Sequence, residues 1–177
     1  QVTSVIGHLM ETDFEDGYRK WGSCDPSALF HEARVEHFVP QDKLDIKRNL
    51  EQAVRGCSDL ILWLDCDREG EAIGFEVMEV CLAVNRNVRV RRARFSALIP
   101  RDILSAMRNL VQPCQAQADA VRARSEIDLR LGAAFTRLQT TSLQGEFEGI
   151  DQVISYGPCQ FPTMWFVAQR QERIDNF

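Results

Sequence analysis

The feature that most constrains the fold is an apolar run, Leu60 to Leu64, that leads directly into the acidic loop Asp65-Cys66-Asp67-Arg68-Glu69-Gly70-Glu71. A short apolar run bounded by polar residues predicts a buried strand of a parallel sheet. Beyond the loop, apolar residues recur at helical spacing at Ile73, Val77, Val80, Cys81 and Val84. The pattern therefore predicts strand, loop and helix in succession, and open α/β sheets place their chemistry at the carboxyl ends of such strands.

Four carboxylates crowd the acidic loop, and like charges this close repel one another unless a cation offsets them. Carboxylate oxygens are the ligands that hard divalent cations prefer, so we predict a Mg²⁺ site that acts on phosphates. An alternative is that the acids cap the helix that follows and favour its positive N-terminus, which suits Glu69 and Glu71. Capping does not explain Asp65 and Asp67 in this interpretation, so the metal hypothesis is favoured for that pair.

The rest of the chain alternates strand and helix patterns and then becomes helical. Strands are predicted at 2–9, 33–39 and 88–95, helices at 42–57, 100–110, 116–143 and 164–174, and loops at 14–23 and 145–151. This predicts an α/β fold with a mostly parallel sheet flanked by helices, plus the helical start of a second domain. Pro113 marks the predicted boundary between domains 1–112 and 113–177.

Composition narrows the classes of protein. The chain is 45% hydrophobic, yet no apolar stretch approaches the roughly 20 residues that a membrane span needs. Six cysteines without a C-x-x-C pair argue against a zinc ribbon and a disulfide framework. The net charge of −5 hides a local excess of arginine at positions 86, 89, 91, 92 and 94. These arginines predict a nucleic-acid surface or, equally well for Arg89 and Arg91, a solvated edge strand.

The acidic loop after its strand resembles the second acidic motif of Toprim domains. The segments Ile127 to Arg137 and Ser155 to Thr163 resemble the next two sequence landmarks of type IA DNA topoisomerases. Their residues are similar to those of the eukaryotic topoisomerase III branch, alpha type. Gly7-His8-Leu9, Arg19-Lys20-Trp21 and Arg92 to Ser96 match as well. The resemblance therefore runs along essentially the whole chain.

This resemblance implies that Asp65, Asp67 and Glu69 are the acidic triad that binds Mg²⁺ near the site of DNA cleavage. It implies ATP-independent passage of DNA strands through a transient single-strand break held by a 5′-phosphotyrosyl bond. The family's nucleophilic tyrosine lies downstream of the Ser155 to Thr163 landmark, outside this chain, so Tyr156 is predicted to pack or to stack on DNA. A family glutamate on the first Toprim strand would precede Val2 and is also outside the chain.

The resemblance further implies contacts with single-stranded DNA. The DNA-binding residues it indicates are His8, Arg68, Arg124, Arg130, Ser155, Gln160 and Thr163. Guanidinium, hydroxyl and amide groups suit the sugar-phosphate backbone and carry no sequence information. Two alternatives remain open: Arg130 pairs with Glu126 one helical turn earlier, and His8 is structural.

The resemblance implies that the intact protein acts in the nucleus, in DNA recombination and repair, together with a RecQ-type helicase and an OB-fold accessory subunit. Two other hypotheses remain. One is another Toprim enzyme, a primase or nuclease, which would use the same acids without covalent attachment to DNA. The other is a non-catalytic DNA-binding module. The primase or nuclease hypothesis predicts no need for the long helix from residue 116 or for the segment Ser155 to Thr163.

Overall fold

The computed structural model describes all residues from Gln1 to Phe177. The strands are β1 (Glu11–Phe14), β2 (Val35–Phe38), β3 (Asp59–Leu62) and β4 (Arg89–Arg92). The helices are α1 (Asp16–Arg19), α2 (Ala28–His31), α3 (Leu44–Val54), α4 (Arg68–Val84), α5 (Pro100–Arg108), α6 (Gln115–Glu146) and α7 (Gln160–Asp175). No helix is both long and apolar enough to cross a membrane.

The chain forms two compact units. Unit 1 comprises residues 1–11 and 37–123, and unit 2 comprises residues 12–36 and 124–177. Both units are therefore built from two separate stretches of sequence. These compact units do not test the predicted domain boundary at Pro113, which stays a prediction.

Unit 1 contains the strand, loop and helix predicted around the acidic loop. Strands β3 and β4 pair in parallel, with Asp59 opposite Arg89 and Leu62 opposite Arg92. Helices α3 and α4 pack on one another and share a core with the strands. This core consists of Leu9, Leu50, Val54, Leu62, Val77, Val80, Cys81 and Val88. Leu62, the last residue of β3, belongs to this core. Its burial therefore fixes the position from which the chain continues into the acidic loop.

Unit 2 surrounds a smaller core of Phe14, Leu29, Ala33 and Ala134. Helix α6 supplies Ala134, while Phe14 ends β1 and Leu29 lies in α2. Helix α7 buries none of its residues, and its Trp165 is 61% exposed. The last helix therefore adds no side chain to the core of this unit.

The structure confirms the α/β class and most predicted elements. The helix predicted beyond the acidic loop is present as α4, which begins earlier, at Arg68 within the loop. Helix α6 covers the predicted long helix with one residue more at its start and three more at its end. The predicted strand at 2–9 is wrong, because that segment is irregular and exposes 99% of Val2 and 81% of Ile6. The predicted loop at 14–23 contains α1, and α2 was not predicted. The parallel sheet is also small, with two strands, and Ile61 on β3 is 36% exposed, so this strand is not covered on both faces.

Candidate functional site

The acidic loop lies at the carboxyl end of β3, where the chain enters α4. Asp65 and Asp67 are both exposed. Asp67 is the N-cap of α4, and its Oδ1 accepts a hydrogen bond of 2.8 Å from the backbone N–H of Gly70. The expectation that capping cannot explain Asp67 is therefore wrong, because Asp67 itself satisfies a free N–H group of the first helical turn.

The Asp65 carboxylate makes no hydrogen bond or ion pair within the chain, whereas its backbone carbonyl accepts from Arg92. Two exposed carboxylates two positions apart in the chain fit the chemistry of Mg²⁺, which uses one or two carboxylates together with water and substrate phosphates. No three histidine, cysteine, aspartate or glutamate side chains are grouped so that they could hold a metal ion. The triad of Asp65, Asp67 and Glu69 therefore stays a prediction.

Glu69 turns toward His8 and not into a cluster with the aspartates. His8 Nε2 lies 3.0 Å from Glu69 Oε2, and His8 Nδ1 lies 2.7 Å from Glu76 Oε1. The second Glu76 oxygen accepts from the backbone N–H groups of Leu9 and Met10. Burial lowers the pKa of His8, but hydrogen bonds and charge from Glu76 and Glu69 outweigh it and raise the pKa above 6.5. His8 thus connects the segment before β1 to helix α4.

The last acid of the loop, Glu71, belongs to the interior. Its Oε1 lies 3.1 Å from Nε of Arg92, and the two side chains are 2% and 0% exposed. The other carboxylate oxygen accepts from the backbone N–H of Cys114 at 2.9 Å. Sequence reasoning placed Glu71 in a helix cap and Arg92 in a surface arginine run, so this buried pair was missed.

An open cleft of about 460 Å³ lies beside the acidic loop. It is lined by Cys66, Arg94, Phe95, Ser96, Asp102, Ser105, Ala106 and Asn109. The Cys66 Sγ accepts from the backbone N–H of Phe95 at 2.9 Å, and the Phe95 ring stacks on Trp63 with centroids 5.5 Å apart. These contacts fix one wall of the cleft to the acidic loop. Arg94 is exposed and places a cation there.

The arginine run divides between surface and interior. Arg86, Arg89, Arg91 and Arg94 are exposed, whereas Arg92 is buried. Arg89 pairs with Asp59 on β3 at 2.9 Å, and the hydrogen bond from Ser58 followed by that from Arg89 lowers the pKa of Asp59. The solvated-strand interpretation therefore fits Arg89, which already has an acidic partner.

The predicted DNA contacts of unit 2 differ in exposure and in the hydrogen bonds they make. Arg130 donates to Glu126 at 2.8 Å and to the carbonyls of Leu29 and Ala33 at 2.9 and 3.0 Å. The predicted pairing of Arg130 with Glu126 is confirmed. Arg124, Ser155, Gln160 and Thr163 are exposed, and Thr163 Oγ1 donates to the carbonyl of Cys159. In unit 1, Arg68 is exposed and His8 is half-buried.

The segment before α7 is attached to α6 by polar side chains. Thr140 Oγ1 accepts from the N–H of Ile154 at 3.0 Å, and Thr136 Oγ1 accepts from that of Tyr156 at 2.8 Å. The Tyr156 ring lies between Phe135 and Phe161, with centroids 4.9 and 5.3 Å away. Tyr156 therefore packs, as one of the two predicted roles requires.

Comparison with known proteins agrees with the order of these landmarks. The Toprim domain model matches residues 1–98, and the DNA topoisomerase model matches residues 112–177. DNA topoisomerase 3-alpha of Arabidopsis thaliana is 57% identical over 98% of this chain, and that of Homo sapiens is 51% identical over 99%. The chain belongs to the type IA DNA topoisomerase family, in its topoisomerase III branch.

The match covers only part of each relative. This topoisomerase chain spans 19% of the Arabidopsis protein and 18% of the human one. Full-length topoisomerase I of Thermotoga maritima has the same fold over 100% of the chain and 27% of its own length, with a TM-score of 0.66 at 24% identity. The acidic loop lies within the Toprim match, and the long helix α6 lies within the topoisomerase match.

Proposed function

We propose that residues 1–177 supply the metal-binding part and the start of the strand-binding part of a topoisomerase III. The intact enzyme passes DNA strands through a transient single-strand break, with Mg²⁺ and without ATP, and holds the break as a 5′-phosphotyrosyl bond. The nucleophilic tyrosine lies outside these residues. The observation that carries the proposal is the pair of exposed carboxylates, Asp65 and Asp67, where β3 meets α4 inside a chain with two family matches in tandem.

Asp65 and Asp67 would hold the Mg²⁺ ion, with Glu69 as the third acid. A bound divalent ion polarises a phosphate oxygen and offsets charge that develops during cleavage and religation. Asp67 has one carboxylate oxygen in the helix cap, which leaves the other for the ion. His8 holds the Glu69 side chain, and because both of its ring nitrogens already contact carboxylates, His8 enters the DNA-binding set only as a prediction.

Single-stranded DNA is the proposed substrate. Arg68 and Arg124 are exposed cations, Ser155 and Gln160 offer exposed hydroxyl and amide groups, and the exposed Thr163 hydroxyl already donates to the carbonyl of Cys159. Such donors hold the sugar-phosphate backbone without reading sequence. We expect the affinity of the chain for single-stranded DNA to fall steeply with salt because cations are released from the phosphates. Arg130 enters the DNA-binding set only as a prediction, because its donors already bind Glu126 and two carbonyls.

The relatives named DNA topoisomerase 3-alpha motivate a proposal for the cellular setting. We propose that the intact enzyme acts in the nucleus, in recombination and repair, with a RecQ-type helicase and an OB-fold accessory subunit. No contact within residues 1–177 bears on these partners.

A chimera tests the activity. Residues 1–177 replace the matching segment of the Arabidopsis DNA topoisomerase 3-alpha, and the product is assayed for relaxation of negatively supercoiled DNA. We expect relaxation that needs Mg²⁺ and not ATP, and a covalent 5′-DNA adduct when the reaction is stopped with denaturant. The variants Asp65→Asn and Asp67→Asn lose relaxation, whereas Asp45→Asn, on an exposed face of α3, retains it.

The outcome separates the alternatives. A folded chimera that neither relaxes DNA nor forms an adduct contradicts the proposal. Nicks with free ends would favour a Toprim nuclease, and nucleotide polymerisation would favour a primase. Binding of DNA with no cleavage at all would favour a non-catalytic module.

A further inference from the structure

We propose that Arg92 is a positioning residue, which fixes the backbone of the acidic loop so that Asp65 and Asp67 present their carboxylates to one divalent ion. This inference rests on the proposed function, because it concerns the same acids. It adds a residue that lies in the interior and touches neither the ion nor DNA. Its action is through the chain segment that carries the ligands.

The first observation is which atoms accept hydrogen bonds from the Arg92 guanidinium group. Arg92 Nη1 lies 2.8 Å from the carbonyl oxygen of Leu64 and 3.4 Å from that of Leu62. Nη2 donates to the carbonyl oxygen of Asp65. One rigid, planar group therefore binds the end of β3 and the first residue of the acidic loop. These carbonyls accept a charged donor that is out of contact with bulk solvent, since Arg92 is 0% exposed.

The second observation is how the charge of Arg92 is balanced. Its Nε donates to Glu71 Oε1 at 3.1 Å, and Glu71 lies in the first turn of α4. The second Glu71 oxygen accepts from the N–H of Cys114. Arg92 thus connects the strand side of the acidic loop to the helix side through Glu71, while Asp67 caps the same helix. The loop is held at both ends, and its two carboxylates stay exposed between them.

The third observation is the tight packing around this arrangement. A Cβ added to Gly70 would overlap the carbonyl oxygen of Asp65 and lie 3.1 Å from Arg92 Nη2. The loop backbone, the guanidinium and the helix start are therefore in close contact. Groups that orient metal ligands from behind typically change metal affinity 10- to 100-fold when they are lost.

The test must separate positioning from stability. Single variants Arg92→Met and Arg92→Lys are compared with the double variant Arg92→Met/Glu71→Leu. The double variant leaves no unpaired charge in the interior, so it regains stability, but it still lacks donors for the loop carbonyls. Arg89→Met is the matched control, because Arg89 lies on the same strand and pairs with Asp59 at the surface.

Two measurements are made at a temperature below the lowest melting midpoint among the variants. The first is hydrogen exchange of backbone amides 64–70 relative to those of α6 in the metal-free chain. We expect exchange to accelerate in all three Arg92 variants, less in Arg92→Lys, and to be unchanged in Arg89→Met. The second is Mn²⁺ affinity, which we expect to be about 10- to 100-fold weaker in Arg92→Met and in the double variant.

The results distinguish this inference from the proposed function. Wild-type loop exchange and wild-type Mn²⁺ affinity in a folded double variant overturn the role of Arg92 and leave the metal site intact. Absence of Mn²⁺ binding in the wild-type chain counts against its metal site, and exchange at 64–70 then decides whether Arg92 holds the loop. Equal acceleration in Arg89→Met would also overturn the inference, because it would show that the loop responds to any lost arginine.

Discussion

Arg92 and Glu71 form a buried ion pair with 3.1 Å between Nε and Oε1, although 21 residues separate them in sequence. The pair joins the end of β4 to the first turn of α4 and, through the N–H of Cys114, to the segment that leads into α6. Both charges have further partners: four backbone carbonyls accept from Arg92. The interior next to the acidic loop is therefore polar and fully hydrogen-bonded.

Removing one member of this pair should destabilise the chain strongly. Arg92→Met leaves the Glu71 carboxylate buried without its cation, and Glu71→Leu leaves the guanidinium likewise. Loss of one partner of a buried pair typically costs about 3–5 kcal/mol in the free energy of unfolding. Urea denaturation followed by circular dichroism measures the change.

The comparison for this prediction is the exposed pair of Arg89 and Asp59 on the same two strands. Arg89→Met should leave the denaturation midpoint where it is, because solvent screens an exposed pair. A shift for Arg89→Met as large as that for Arg92→Met would contradict the assignment of Arg92 to the interior.

Gly70→Ala should destabilise the start of α4. An added Cβ would overlap the carbonyl oxygen of Asp65 and lie 2.9 Å from its carbonyl carbon. Backbone cannot yield as a side-chain end can, so we expect a loss of about 1–3 kcal/mol and a weaker affinity for divalent ions.

Gly132→Ala in α6 is the matched helical glycine, since its nearest neighbour, the carbonyl oxygen of Tyr156, would be at an ordinary 3.5 Å. Replacing a glycine by alanine within a helix is favourable by roughly 0.5–1 kcal/mol. Thermal melts of the two variants should therefore shift in opposite directions. A neutral Gly70→Ala would show that the loop backbone moves more easily than the contacts indicate.

The strand, loop and helix around Asp65 could be predicted because their signals are local. An apolar run, a polar loop and helical spacing each occupy a few consecutive residues. The prediction of a strand at 2–9 was wrong for a related reason. Val2 and Ile6 have the composition of a strand, but composition does not show that both side chains are exposed and that no strand pairs with the segment.

The roles of the arginines could not be predicted, because their acceptors are backbone carbonyls and carbonyls have no sequence signature. Arg92 binds carbonyls at the end of β3, and Arg130 binds those of Leu29 and Ala33. Arg137, also buried, donates to the carbonyls of Tyr18, Arg19 and Lys20, where α1 ends. Arg92 and Arg130 each had a plausible explanation within their own segment, and only the tertiary fold brings the distant carbonyls to these arginines.

Substitutions of Asp67 should separate its cap from its proposed metal contact. Asp67→Ala removes the acceptor for the Gly70 N–H, and we expect a loss of about 0.5–2 kcal/mol in stability without metal. Asp67→Asn keeps an oxygen acceptor and should melt close to wild type, yet it removes a charge that a divalent ion needs. Thermal melts with and without Mg²⁺ measure both effects.

Asp65→Asn is the companion variant, because the Asp65 carboxylate makes no hydrogen bond or ion pair within the chain. It should melt as wild type without metal and lose the Mg²⁺-dependent stabilisation. If both asparagine variants retain the full Mg²⁺ response, the ion binds elsewhere, and Asp67 serves only as a helix cap.

The six thiols should differ in their reaction with alkylating agents, because the thiolate is the reactive form. Burial, followed by the negative charges of Cys57 and Glu51, raises the pKa of Cys81 from 9.0 to about 11. At about pH 8 only about one Cys81 thiol in a thousand would be ionised, and the side chain is also 1% exposed. Cys66 and Cys159 are exposed and should react first. Because the folded chain holds the Cys81 proton more tightly than the unfolded chain, this contribution to stability is complete below pH 9 and is lost as the pH rises through 11.

Iodoacetamide labelling followed by peptide mass spectrometry, at a series of pH values, measures the order in which the thiols react. Labelling of Cys81 as fast as Cys66 in the folded chain would show that the core between α3, α4 and β3 opens far more often than its packing implies.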